Sequence, residues 1–89
     1  MSFISEFNVF EDNFLRLLEY LKYTWWPYDG YGVDWNNQER TLELHTWGWS
    51  ENEEMIREIE NTYFWSVCWE KSERGGHYYF KVRKWMLEK

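Results

Sequence analysis

The chain has 89 residues, 24% of them aromatic, a net charge of −6 and a single cysteine, Cys68. That length makes one domain, residues 1–89, for which surface scaling gives roughly 5,700 Å² of exposed area once folded. A lone cysteine excludes an internal disulfide and a cysteine-based zinc site, and the want of an apolar run of about 18 residues excludes a membrane-spanning helix.

The first residues, Met1-Ser2-Phe3-Ile4-Ser5-Glu6, lack the basic region and apolar stretch of a signal peptide, so a cytoplasmic location with no membrane partner is expected. Charge is unevenly spread: residues 1–70 carry 14 acidic and 4 basic side chains, residues 71–89 carry 2 and 6. A face that neutralises phosphates needs dense basic charge, so nucleic acid is not an expected partner. The acidic excess keeps an aromatic chain soluble.

In chain order, apolar residues at Phe10, Phe14, Leu17, Leu18, Leu21 and Trp25 recur every three or four positions and predict an amphipathic helix near 9–25. Asn8 followed by Glu11 resembles a capping box, and Trp26-Pro27 ends the helix because the residue before proline avoids helical backbone. Tyr28-Asp29-Gly30-Tyr31-Gly32 reads as a turn-rich connector. Strands are predicted at Gly32–Trp35 and Thr41–Trp47, joined by Asn36-Asn37-Gln38-Glu39. Ser50-Glu51-Asn52-Glu53 reads as a capping box opening a second helix near 51–62, with Met55, Ile56, Ile59 and Tyr63 on one face. Aromatic and β-branched residues then predict strands at Phe64–Lys71 and His77–Trp85, with Ser72–Gly76 as the hairpin loop.

The order α-β-β-α-β-β implies an α+β domain with four mostly antiparallel strands and two helices. Alternation would place Trp65, Val67 and Trp69 on one face of the third strand and Phe64 and Cys68 on the other. Tyr78, Phe80 and Val82 would oppose Tyr79 on the fourth. Apolar groups on both faces lead to an expected homodimer through a sheet face or edge.

Four polar residues stand out chemically: Glu43, His45, Glu53 and His77. Glu43 and His45 are two apart on a strand and share a face, and two imidazoles with two carboxylates suit a divalent metal or acid–base chemistry. The plainer explanation is that Glu53 belongs to a helix cap, Glu43 to a solvated strand face, and the histidines to turn backbone. Cys68, between Val67 and Trp69, reads as a small buried hydrophobe rather than a nucleophile. Arg74-Gly75-Gly76 displays an arginine on a glycine hairpin, where it can grip an anion or simply meet solvent. No phosphate-cradling loop, nucleophile elbow or dinucleotide fingerprint is present, so no cofactor is expected.

The blocks Leu44-His45-Thr46-x-Gly48-Trp49-Ser50-x-Asn52-Glu53-Glu54, Phe64-Trp65, Trp69 and Ser72-x-Arg74-Gly75-Gly76-His77-Tyr78-x-Phe80 resemble small uncharacterised bacteriophage and prophage proteins over roughly residues 42–82. Trp47 departs from that pattern, which would have glycine there. The resemblance implies a viral origin and an accessory role.

These readings converge on an expected non-enzymatic accessory protein that binds a host, defence or phage protein through an aromatic and acidic surface. His45, Trp49, Asn52, Arg74 and His77 are expected to form one surface cluster, provided the strand beginning at His77 pairs beside Thr41–Trp47. The alternative is a small metal-dependent or acid–base enzyme using His45, His77 and nearby carboxylates.

Overall fold

The computed structural model describes residues 3–26 and 31–88. Residues 28–30 of the predicted connector Tyr28–Gly32, and the stop at Pro27, lie outside them, while Tyr31 and Gly32 form a turn. A single helical turn, α1 (Phe3–Glu6), precedes α2 (Phe14–Thr24). The hairpin β1 (Val33–Asn36) and β2 (Thr41–His45) follows, then α3 (Ser50–Glu60) and α4 (Tyr63–Cys68). A second hairpin, β3 (Trp69–Glu73) and β4 (His77–Lys81), leads to a closing 3-10 turn at Lys84–Leu87. The four strands form one antiparallel sheet in the order β1-β2-β4-β3, which makes an α+β domain. The folded chain exposes 5752 Å², matching what its length requires of a well-packed domain.

Helix α2 forms for the reason its spacing suggests: Phe14, Leu17, Leu18 and Leu21 fall on one buried stripe. It starts later than expected. Asn8 spends its side chain on an Asx turn, accepting the Phe10 N–H at 2.8 Å. Asn13 does the capping instead, its Oδ1 accepting from Leu15 N–H at 2.8 Å.

The larger correction concerns residues 64–68, expected as strand and found as helix α4. β-propensity is a weak local preference that tertiary packing overrides. Here Phe64 and Cys68, four residues apart, are both buried. Phe64 packs on Phe14 and Phe80 with ring centroids 5.7 and 5.3 Å away. Trp65 and Trp69, also four apart, stack at 5.7 Å. The alternation of Trp65, Val67, Phe64 and Cys68 across two sheet faces therefore does not arise, and the argument for a homodimer drawn from it falls away. The strand that does form, Trp69–Glu73, is an exposed edge whose register slips between Trp69 and Lys71. The fourth strand ends at Lys81 rather than Trp85.

The sheet is consequently two-faced. Val33, Leu42, Leu44 and Phe80 are buried against the helices, with Trp35 and Tyr78 packed beside them. Strand alternation turns Asp34, Glu43, His45, His77 and Tyr79 to the opposite, polar face.

Candidate binding face centred on His45 and His77

Register creates the centre of this face. β2 and β4 are neighbours, and His45 stands directly opposite His77. Their rings are 4.9 Å apart at 63°, and the two Nδ1 atoms are 2.7 Å apart. At that distance one ring donates an N–H and the other accepts it. The far side of His45 meets carboxylates: Nε2 lies 3.4 Å from Asp34 Oδ2 and 3.4 Å from Glu43 Oε1. Asp34 and Glu43 are cross-strand partners on β1 and β2, while Glu43 and His45 are two apart on one strand. Asp34, Glu43 and His45 can each offer a donor atom within a sphere of contact no wider than 4.8 Å.

A second row flanks the pair. Tyr79 donates its hydroxyl to Glu73 Oε1 at 2.8 Å, and Lys71 Nζ lies 3.6 Å from Glu73 Oε2 and 4.8 Å above the Tyr79 ring. The Tyr79 hydrogen bond, then the Lys71 charge, holds the Glu73 carboxyl below its ordinary range. The same bond pushes the Tyr79 phenol up. A depressed carboxyl adds stability above its unfolded pKa and loses it as pH falls through the folded value. A raised phenol adds stability below its unfolded pKa and loses it as pH rises through the folded value. Tyr79→Phe is expected to return Glu73 toward the usual carboxylate range in an NMR titration. Its melting temperature at neutral pH should barely move, because both groups are solvent-screened.

An aromatic rim borders the face. Trp47, at the end of β2, has φ 54°, a left-handed backbone that bulky residues rarely adopt. Its ring stacks on Tyr31 at 5.3 Å and lies 5.5 Å from His45 and 6.0 Å from His77, edge-on to the latter. Tyr31 is 61% exposed and Trp47 46% exposed. Beneath the rim, Gly32 (φ 103°) brings backbone against backbone. A Cβ there would stand 2.6 Å from the His45 carbonyl oxygen and 2.8 Å from the Trp25 and Trp47 indole nitrogens. The buried Trp25 donates its indole N–H to the same His45 carbonyl at 2.9 Å, anchoring the strand end from below.

The residues expected to cluster separate into three fates. His45 and His77 are in contact. Trp49 is exposed at the entrance to α3, edge-on to Trp26 at 5.8 Å, and Arg74 is exposed in the turn between β3 and β4. Asn52 is not on the surface. It is wholly buried, its Oδ1 accepting the Trp26 N–H at 2.7 Å and its Nδ2 donating to the Trp26 and Thr46 carbonyls at 2.8 and 3.2 Å.

The capping box also dissolves. Trp49 occupies the cap position with no side-chain bond, and Ser50 lies inside the helix, donating to Glu51 at 3.3 Å. Glu53 sits on α3, outside the Asp34–Glu43–His45 group. Asp34 was missed, although its place between Val33 and Trp35 marks it as the outward residue of a short strand. Cys68 is buried on the helix side against Met86 Sδ at 3.5 Å, and burial pushes its thiol to about 11, which leaves it protonated and unreactive. Compared with family models, curated proteins and solved structures, the chain matches none.

Proposed function

We propose that the chain is a non-enzymatic accessory protein of phage type that binds a host or defence protein through its polar sheet face and aromatic rim. The observation carrying this reading is Trp47. A bulky side chain in left-handed backbone costs about 1–2 kcal/mol, and here the strain holds a half-exposed indole beside an exposed tyrosine. Strain kept to hold a bulky side chain half in solvent is a mark of functional positions. Tryptophan and tyrosine are the anchors that partner surfaces most often use. The acidic side chains Asp34, Glu43 and Glu73 around the rim favour a partner with basic groups at its edge. The phage setting draws on the resemblance of residues 42–82.

An acid–base or metal-dependent enzyme is the second reading, favoured by the contact between the two imidazoles. That reading rests on this contact alone. One groove of about 300 Å³, lined by Arg16, Glu19, Tyr20 and Tyr23, lies on α2.

The test is retention of a lysate protein on immobilised chain, compared across variants. The wild type is expected to retain a partner that Trp47→Gly and Tyr31→Ala release. Trp47→Gly should also be more stable than Trp47→Ala by about 1 kcal/mol, since glycine relieves the left-handed strain that alanine keeps. Equal retention by wild type and Trp47→Gly would reject the reading. Turnover of a substrate, lost in His45→Ala, would replace it with the enzyme.

A further inference from the structure

We infer that Asp34, Glu43 and His45 form a binding site for a first-row divalent cation of the Zn²⁺ type, with His77 positioning the histidine ligand. The inference does not rest on the partner-binding role.

Three observations carry it. The first is spacing. His45 Nε2 lies 3.4 Å from each of two carboxylate oxygens. That is longer than a well-formed N–H···O bond, which clusters near 2.9–3.0 Å. Ligands at about 2.0–2.2 Å from a tetrahedral Zn²⁺ stand roughly 3.3–3.6 Å from one another, so these two separations match coordination edges, and the third, between the carboxylates, is no more than 4.8 Å.

The second is charge. Asp34 and Glu43 face each other directly across antiparallel strands. Like charges so placed destabilise a strand pair. A divalent ion between the carboxylates turns the repulsion into coordination.

The third lies behind the ligand. Histidines that bind metal almost always donate their other ring N–H to an acceptor, which fixes the tautomer and orients the ring. His77 Nδ1, 2.7 Å from His45 Nδ1, is placed to accept that proton and to leave His45 Nε2 with a free lone pair. One nitrogen with two carboxylate oxygens suits Zn²⁺ or Mn²⁺ better than the all-oxygen shells of Ca²⁺ or Mg²⁺. Asp34 is 69% exposed, so the remaining coordination positions open to solvent.

The experiment is titration of tag-free protein with Zn²⁺ by calorimetry in chelator-free buffer, with Co²⁺ absorption as a second readout. Saturable uptake of a single ion per chain is expected, with visible bands from bound Co²⁺. Asp34→Asn and Glu43→Gln should each weaken binding tenfold or more. His77→Ala, which removes the acceptor behind the ligand and no ligand itself, should weaken it about tenfold. The two carboxylate variants alter an exposed and a half-exposed side chain without changing their size, so their melting curves should confirm a folded chain even if His45→Ala does not fold. No saturable uptake by the wild type, or an isotherm unchanged in Asp34→Asn and Glu43→Gln, would overturn the site.

Discussion

Asn52→Ala is expected to destabilise the chain by about 3–5 kcal/mol, the largest effect of any polar substitution proposed for it. Asn52 is fully buried on α3, and its amide answers both backbone groups of Trp26 and the Thr46 carbonyl. Alanine would take this partner from the Trp26 N–H and carbonyl, groups that cost about 1–3 kcal/mol each when left unpaired in the interior, while the Thr46 carbonyl keeps the Trp49 N–H at 3.0 Å. For a domain of this size that corresponds to a fall in melting temperature of more than about 10 °C. Asn52→Asp is expected to be no milder. It can still accept from Trp26, but it sets a carboxylate against two carbonyl oxygens. Chemical denaturation of both variants checks this, and a loss below about 1 kcal/mol for the alanine would show that water replaces the amide at little cost.

Gly32→Ala is expected to cost about 2–5 kcal/mol and to disturb the binding face with it. The cost has two parts. At φ 103° any side chain is strained, and the added carbon would meet the His45 carbonyl oxygen at 2.6 Å, an atom held from below by Trp25. Backbone cannot step aside as a flexible side chain does. Gly48→Ala separates the parts, because that glycine also has positive φ (76°) but nothing within 4 Å of a new Cβ. It should lose only about 1–2 kcal/mol, the conformational share. Equal losses at the two positions would mean that the strand end moves freely and that Gly32 does not set the position of His45.

Side chains that act through periodicity were legible in the sequence, and those that act through register were not. Phe14, Leu17, Leu18 and Leu21 announce α2, and alternation in Thr41–His45 announces β2. Residues 64–68 misled because their composition favours strands, although Phe64/Cys68 and Trp65/Trp69 repeat at four, the helical interval. Ser50 and Asn8 matched capping patterns, but the backbone took its caps one residue earlier and five residues later, at Trp49 and Asn13. A cap is fixed by where the chain enters the helix, and that is a tertiary fact. His45 and His77 could be chosen by type, but their contact depended on β2 lying beside β4. Asp34 joins them only through the pairing of β1 with β2, and Asn52 looked like a surface residue because nothing local shows that Trp26 folds back over it.

The burial of Cys68 bears on how the protein behaves outside its folded state. A thiol buried at the end of α4 against Met86, its pKa pushed by burial to about 11, is a poor nucleophile for oxidation or disulfide exchange. In the folded chain Cys68 is therefore shielded from the redox poise of the medium. Two chains can cross-link only after both have opened enough to bare the sulfur. A disulfide-linked pair on a non-reducing gel is thus a mark of past unfolding, because neither chain can bury the linked sulfur again.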